Sequence, residues 1–290
     1  MASSLVPHSS GQAGKLSLRY TATMLVLLPP SEGKTSPEAA STTLKLAEIA
    51  PFKTQLAAAR EDVLNALEKI SAQPDALEVL GVGPRLSAEI EANTHLRNAP
   101  TAPAYEIYSG VLFENGEIAK RGEIYQPQLN FQVLVQSALF GLVDLQTRIP
   151  AYRLSMDTKL GELGALATFW KKQLTPLLTD LSDHEIIVDC RSGSYIKAWP
   201  ALQTKATTHQ LLRVNVVRER NGKRSVVSHN AKKFRGMLAG ALIEANAEGT
   251  LSDSLESVLQ VAQSLIGKDD VIGVETSVQK NYTELIIVTV

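Results

Sequence analysis

The hydrophobic residues of this chain are concentrated in short runs that end at polar loops. Met24–Leu28 is one such run, and because it ends at Pro29-Pro30 it predicts a buried strand that leads into a loop. That loop, Pro29–Thr35, is polar and rich in residues with special backbone preferences. Ile186–Cys190 is rich in β-branched residues and predicts a second buried strand, which ends in the loop Arg191–Tyr195.

Leu211–Glu219 and Arg224–Ser228 predict the two strands of a hairpin. The pair Asn221-Gly222 lies between them and is the strongest local hairpin signal in the chain, because both central residues of a type I′ turn need positive φ. Ile107–Phe113 and Leu285–Val290 predict two further strands.

Four segments predict helices: Pro51–Ile70, Gln128–Val143, Asp157–Leu181 and Ala231–Ala245. Pro51 is tolerated in a first turn and would set the start of its helix, whereas Pro176 should kink or divide the third. Strands and helices interleave without a regular βαβ rhythm. We therefore expect an α/β or α+β fold with a mixed sheet rather than a doubly wound one.

The composition restricts the classes of protein to which this chain can belong. The 290 residues are 44% hydrophobic and 20% charged, as in an ordinary globular protein. A single cysteine, Cys190, excludes an intramolecular disulfide and fits a reducing cytoplasm. Residues 1–23 are rich in Ser, Gly and Thr and carry Lys15 and Arg19, so they predict a disordered extension rather than a signal peptide, with the folded domain over residues 24–290. No apolar run approaches the roughly 18–20 residues that cross a bilayer.

The charges are polarised along the chain, although the net charge is −1. Between Arg213 and Arg235, eight cations face the single acid Glu219, and from Glu244 onward acids dominate. Such a chain can hold a local positive potential while it stays neutral overall. The alternative is a solvated basic hairpin.

Leu80–Ile90 resembles the hairpin of helix-hairpin-helix DNA-binding motifs, within a wider element at residues 75–93. Gly81 and Gly83 would form a tight turn whose backbone N–H groups face a phosphate, with Arg85 beside it. The alternative is an ordinary Gly-Pro turn between two short helices.

Three other segments combine cations with helix starts or with strand–loop boundaries. If Asn230 caps a helix, the cations Lys232, Lys233 and Arg235 occupy its first turns, where a bound anion would offset their repulsion by the helix dipole. The other two segments each combine a cation, a hydroxyl and an aromatic, which suits contact with phosphate or a base: Arg153 with Lys159, and Arg191 with Tyr195 and Lys197.

Neither serine nor histidine chemistry stands out. No nucleophile-elbow pattern surrounds Ser192 or Ser194, and His8, His95, His184, His209 and His229 lack metal-ligand spacing. We expect no cofactor and no metal.

Several segments, in order, resemble the YaaA family. Met24–Lys34 is similar to the family's N-terminal signature in its Pro-Pro-Ser-Glu-Gly-Lys form. Further similar segments are Tyr105–Phe113, Ser137–Val143, Tyr152–Met156, Phe169-Trp170, Arg191–Trp199 and Ala231–Met237. The resemblance implies one compact α/β domain with a positively charged cleft, a helix-hairpin-helix-like element, DNA association and a role in surviving hydrogen peroxide.

Together these patterns predict a set of phosphate- or nucleic-acid-binding residues: Ser31, Lys34, Gly81, Gly83, Arg85, Arg153, Lys159, Arg191, Tyr195, Lys197, Lys232, Lys233 and Arg235. The leading hypothesis is a non-catalytic protein that binds duplex or branched DNA mainly through phosphate contacts. The alternative is an enzyme that acts on a nucleotide or damaged nucleic acid, with Lys34 or Glu32 in catalysis.

Overall fold

The computed structural model describes residues 24–37, 42–127, 130–177, 186–200, 210–227 and 230–290. The expected N-terminal extension lies outside these residues, as do His8, His184, His209 and His229. Within them, no helix is both long enough and apolar enough to span a membrane.

The strands in chain order are β1 (Met24–Leu28), β2 (Ala102–Pro103), β3 (Phe131–Ser137), β4 (Gly141–Asp144), β5 (Arg148–Ile149), β6 (Ile186–Asp189), β7 (Gln210–Arg220), β8 (Lys223–Val226), β9 (Val271–Val278) and β10 (Thr283–Thr289). The α-helices are α1 (Ala57–Ser71), α2 (Ala76–Val79), α3 (Ser87–Ala92), α4 (Ala104–Ile107), α5 (Val111–Asn115), α6 (Ile118–Ile124), α7 (Leu166–Leu174), α8 (Gly193–Ala198), α9 (Ala231–Ala247) and α10 (Leu255–Gln263). The expected mixed-sheet α/β fold is confirmed.

One mixed sheet organises the molecule, with its strands in the order β4-β3-β1-β6-β7-β10-β9. The five inner strands run parallel, while β4 and β9 are antiparallel to their neighbours at the two ends. Every residue of β1 is buried, because a central parallel strand is covered on both faces. The apolar run that ends at the two prolines is thus the middle of the core.

Two strand predictions and one helix prediction can be compared directly. Asn221 (φ 50°) and Gly222 (φ 70°) form the turn between β7 and β8, so the predicted hairpin is confirmed. The helix predicted at Ala231–Ala245 is α9, and the strand at Ile186–Cys190 is β6.

Three predictions are wrong. Residues 131–144 form β3 and β4 instead of a helix, because both strands are buried on every residue and the run therefore shows no alternation of polar and apolar positions. Residues 107–113 contain the end of α4 and the start of α5 instead of a strand, with Gly110 at φ 88° between them. α1 begins six residues after Pro51, since Phe52 has the non-helical φ of 59°.

The predicted helix at residues 157–181 is shorter than expected. α7 covers Leu166–Leu174, and a 3₁₀ turn at Thr175–Leu177 follows it, so the α-helix ends before Pro176. Residues 178–181 lie outside the described part of the chain.

α9 crosses α5 at very short distance, and glycines allow it. A Cβ built on Gly236 would lie 2.0 Å from the carbonyl oxygen of Leu112, and one built on Gly240 would lie 2.1 Å from that of Gly116. No side chain fits there. The crossing therefore anchors α5, and with it the segment from Tyr108 to Gly110, against the longest helix that the structure describes.

Candidate functional site at the carboxyl edge of the sheet

The candidate site lies where β1 and β6 are neighbours. β1 and β6 are adjacent in the sheet. The next strand of this sheet after β1 in the chain is β3, on the side of β1 away from β6, and the next strand after β6 is β7, on the side of β6 away from β1. The loops after β1 and β6 therefore diverge at the carboxyl edge of these parallel strands, which is where open α/β sheets bind their ligands. The loop after β1 carries Ser31 and Lys34, and the loop after β6 carries Arg191 and leads into α8.

Lys34 is held in position by contacts from three segments. Its Nζ donates to the backbone carbonyl of Ser31 at 2.8 Å and more weakly to that of Glu32 at 3.4 Å. It lies 4.1 Å from the ring centroid of Tyr152 and 5.5 Å from that of Tyr108. Both distances fall in the range of a cation–π contact. The backbone of Lys34 also forms a β-bridge with Tyr108.

The two tyrosines belong to a buried chain of hydroxyl groups. The Tyr108 and Tyr152 hydroxyls are 3.1 Å apart, and the Tyr152 hydroxyl is 2.7 Å from Ser137 Oγ at the end of β3. Ser137 Oγ also accepts from the backbone N–H groups of Leu139 and Phe140. Burial raises the pKa of both tyrosines above the usual value, so both remain neutral phenols under Lys34.

The amine of Lys34 has an unusual acidity. Burial, followed by the nearby positive charge of Arg153, lowers its pKa from 10.5 to about 7, against a partial opposing effect of Glu89 and Glu32. Near neutral pH a substantial fraction of this lysine is therefore the uncharged amine, which is nucleophilic and can accept a proton.

Arg153 connects the site to the hairpin element at residues 75–93. Its guanidinium pairs with the carboxylates of Glu32 at 3.4 Å and of Glu89 at 3.6 Å. The side chain of Asn93 donates to the carbonyl of Arg153 at 2.9 Å and accepts from its N–H at 3.0 Å. Since Glu89 belongs to α3 and Asn93 follows it, these contacts attach the hairpin element to the edge of the site.

Arg191, expected to contact phosphate, is instead part of the buried frame. It is 1% exposed, and two of its nitrogens bond Asp189 at 2.8 Å each while a third bonds Gln136 Oε1 at 2.6 Å. Burial opposes the charge on Asp189, but the guanidinium outweighs it and lowers the pKa of that carboxyl. The sequence places Asp189 two residues before Arg191, which allows this bidentate pair to form.

Three lysines remain on the surface around this edge. Lys159 follows the Tyr152–Met156 segment, Lys197 is on α8, and Lys232 is in the first turn of α9. All three are exposed and form no ion pair with any described residue. Tyr195 of α8 lies near Tyr152 and the backbone of Met156, so α8 and the 152–159 segment are neighbours.

The glycine turn has an open, exposed surface. Gly81 has φ of 66° and closes α2, and no atom would lie within 4 Å of a Cβ on Gly81 or Gly83. Arg85 is exposed and lies in the 3₁₀ turn Pro84–Leu86 that leads into α3. The turn can therefore be approached from solvent.

Other expected cations are neutralised within the molecule. Lys233 pairs with Asp269 at 3.1 Å, and Arg235 donates to the carbonyl of Val214 at 3.0 Å. Asn230 makes no side-chain cap to α9, contrary to expectation. Arg224 of the hairpin pairs with Glu219 and with Glu275 of β9. The acidic C-terminal part thus neutralises a share of the basic segment.

A separate cavity of about 540 Å³ lies beside β3 and β4. Two of its charged groups are already engaged: Asp144 accepts from the Tyr125 hydroxyl and from the N–H of Gln146, and Arg148 donates to Thr42 and Thr101. We therefore place the candidate site at Lys34, where an amine of altered acidity faces the edge of the sheet, rather than at this cavity.

The structure brings Ser31, Lys34, Arg153 and Tyr195 together, as the sequence predicted. It adds four groups that were not among the predicted site residues: Tyr108, Ser137, Glu89 and Asn93. In the described part of the chain, no group of three or more His, Cys, Asp or Glu side chains could hold a metal ion.

The fold and site together define a mixed-sheet α/β protein with a polar, lysine-containing site at the carboxyl edge of its sheet. The chain belongs to the YaaA family, since the family model described as peroxide stress protein YaaA matches residues 24–261. The resemblance seen in its motifs is thereby confirmed.

Similar proteins occur in several bacteria. The chain is 36% identical over 250 residues to a UPF0246 protein of Streptomyces coelicolor, which covers 83% of this chain and 90% of that protein. It is 37% identical over 243 residues to a UPF0246 protein of Corynebacterium efficiens, with 82% and 93% covered, and 34% identical over 244 residues to one of Corynebacterium glutamicum, with the same coverage.

Proposed function

We propose that this member of the YaaA family binds DNA without sequence preference, across the carboxyl edge of its sheet. The observation that carries the proposal is the attachment of the hairpin element to the site: Asn93 and Glu89 both bind Arg153, beside Lys34. The exposed glycine turn with Arg85, and the lysines that have no ion-pair partner in the described part of the chain, would then lie along one surface, which suits contacts to successive phosphates.

Three lysines near the carboxyl edge are available to an anion. In the described part of the chain, Arg224 and Lys233 have carboxylate partners, whereas Lys159, Lys197 and Lys232 have none. A cation without an internal partner can neutralise a phosphate and release its counterion without breaking an ion pair. Phosphate contacts of this kind carry no sequence information.

The test is duplex binding at about 50 mM and about 200 mM salt, measured by fluorescence anisotropy. We expect log K to fall linearly with log salt concentration, and replacement of the three lysines by glutamine to reduce the slope by about 2.5 to 3, at roughly 0.9 for each phosphate contact. The affinities for two unrelated duplex sequences should agree.

A matched control replaces three exposed lysines that lie elsewhere: Lys69 on α1, Lys120 on α6 and Lys268 after α10. It changes the net charge by the same amount, so it should lower affinity only slightly. Equal loss in the two triple variants would mean that net charge, and not this surface, governs binding. No binding of the unmodified protein at low salt would refute the proposed function.

A further inference from the structure

We propose that the Lys34 amine forms an imine with the aldehyde of an abasic deoxyribose, so that the site captures a specific class of damaged DNA. This inference rests on the proposed DNA binding and names its substrate. Lys34 is the candidate because it is partly exposed and fixed at the edge of the sheet, surrounded by groups that can bind, orient and exchange protons with such a sugar.

The hydrogen bonds of Nζ can be made by an uncharged amine as well as by the ammonium. A neutral amine has two N–H donors and one lone pair, and Nζ has two carbonyl acceptors, those of Ser31 and Glu32. When both N–H groups point to these carbonyls, the lone pair remains available to a carbonyl carbon. The rings of Tyr108 and Tyr152 restrict the side chain further, so little orientational freedom is lost on reaction.

The neighbouring charges work in the same direction. Burial and Arg153 lower the pKa of Lys34 to about 7, and a desolvated lysine beside a second cation is an established way to activate an amine. Arg153 also offers its guanidinium to a phosphate next to the damaged sugar, because its carboxylate partners are exposed and lie at 3.4 and 3.6 Å, while its bond to the backbone carbonyl of Glu32 at 3.1 Å can hold it in place.

The reaction balances without an oxidant or reductant. The Nζ lone pair attacks the aldehyde carbon, the C=O π electrons move to oxygen, and a proton passes from nitrogen to oxygen to give a carbinolamine. Loss of the hydroxyl as water, after its protonation, leaves a protonated imine. The Glu32 carboxylate lies 3.4 Å from Arg153, and the backbone carbonyl of the same residue accepts a hydrogen bond from Nζ. This carboxylate is therefore placed to carry the proton between the two steps.

The family description, peroxide stress protein, fits this chemistry. Radicals that arise from peroxide remove hydrogen atoms from deoxyribose and release bases, and the abasic sugar that remains opens to an aldehyde flanked by two phosphates. Such a lesion presents to the proposed surface both the anionic backbone and the electrophile that an amine requires.

The experiment traps the imine with borohydride. The full chain is mixed with a labelled duplex that carries one abasic site, with the same duplex undamaged, or with 2-deoxyribose 5-phosphate, and each mixture is reduced. The adduct is measured by denaturing gel and located by mass spectrometry of the digested, unmodified protein. We expect an adduct at Lys34 with both aldehydes and none with the undamaged duplex.

Three further readouts sharpen the test. Yield should rise by about tenfold between pH 6 and pH 8, because an amine of pKa about 7 passes from mostly charged to mostly neutral over that range. Lys34→Arg keeps the charge and removes the amine, and both it and Lys34→Gln should lose the adduct by at least about tenfold. Lys120→Arg, on the exposed face of α6, should retain it.

The outcomes separate the two proposals. An adduct at Lys34 supports the inference, whether or not the variants fold, because the site is located in the unmodified protein. Binding of the undamaged duplex without any Lys34 adduct overturns the imine and leaves the proposed function standing. A Lys34 adduct with the sugar phosphate, but no binding of either duplex, keeps the amine chemistry and refutes DNA as its substrate. An adduct confined to other lysines overturns the inference.

Discussion

The helix crossing behind the site makes a quantitative prediction. Replacing Gly236 by Ala puts a Cβ 2.0 Å from the carbonyl oxygen of Leu112, whereas ordinary contacts begin near 3.4 Å. The backbone of α5 would therefore have to retreat from α9 by about 1.4 Å. No flexible side chain can give way here, since the colliding atoms are backbone atoms of a helix.

The magnitude follows from two opposing terms. Alanine is better than glycine in a helix interior by about 1 kcal/mol, and overpacking a tight contact costs about 1–3 kcal/mol or more. With a rigid partner the second term is at its upper end, so we expect a net loss of about 2 kcal/mol in the free energy of unfolding. For a domain of this size that lowers Tm by about 4–8 °C.

Urea unfolding and calorimetry measure the loss, and Gly83→Ala is the control. A Cβ on Gly83 has no atom within 4 Å, and its φ of −79° is accessible to any residue. It should change the free energy of unfolding by less than about 0.5 kcal/mol. If Gly236→Ala were as stable as the unmodified protein or more so, the crossing would be loose, and the argument that it fixes α5 would be refuted.

The displacement should also reach the site. α5 begins two residues after Ser109, whose N–H donates to Ser31 Oγ at 3.0 Å. Retreat of α5 therefore pulls on the loop that carries Lys34. A Gly236→Ala variant that folds should lose borohydride trapping, while Gly273→Ala, whose Cβ would make only an ordinary contact of 3.8 Å with Val288 of β10, keeps it.

Three further predictions concern single groups. The folded-state pKa of Lys34 lies below its unfolded value of 10.5, so its contribution to stability is complete above pH 10.5 and is lost as pH falls through about 7. The unfolding free energy of the unmodified protein should therefore rise relative to that of Lys34→Gln between pH 7 and pH 10. A difference that does not change with pH would contradict the lowered pKa. Cys190 is fully buried with its pKa raised to about 12, so iodoacetamide should label it only after unfolding, and rapid labelling of the native protein would show that the thiol is accessible. Arg191→Met leaves Asp189 buried without its partner and should lower the free energy of unfolding, measured in urea, by about 3–5 kcal/mol. Adding Asp189→Asn should restore part of this loss. Equal stability of the single and double variants would contradict a buried ion pair.

The sequence predicted those elements whose signal is local. β1 ends at two prolines, the β7–β8 hairpin turns at Asn221-Gly222, and α9 has apolar positions at helical spacing. Residues 131–144 lacked such a signal. A strand buried on both faces has no polar positions at alternate residues, so β3 was indistinguishable from a buried helix until its pairing with β1 was known.

The site was predicted only in part, and again the predicted residues are those with a local signal in the sequence. Ser31, Lys34 and Arg153 stood out because they carry polar chemistry directly after or beside predicted strands. Glu89 and Asn93 did not, because their role depends on contact with Arg153, about 60 residues away along the chain. The partner of Arg191 illustrates the opposite case: Asp189 is only two residues away, yet burial and not sequence distance decides that the pair faces inward.

The distribution of charge within the fold explains how a nearly neutral chain can serve an anionic ligand. β9 and the turn before it place Glu275 and Asp269 against Arg224 and Lys233, so these two cations are already paired within the molecule. At the carboxyl edge, by contrast, the carboxylates that accompany Arg153 are exposed and distant by 3.4 Å or more. Weak exposed pairs contribute little to stability, so a phosphate can replace them at small cost, whereas the buried Asp189–Arg191 pair stays intact and holds the loops in place. The same two carboxylates raise the pKa of Lys34. A ligand that draws Arg153 away from them therefore alters the acidity of the amine, and this couples phosphate binding to the chemistry proposed for Lys34.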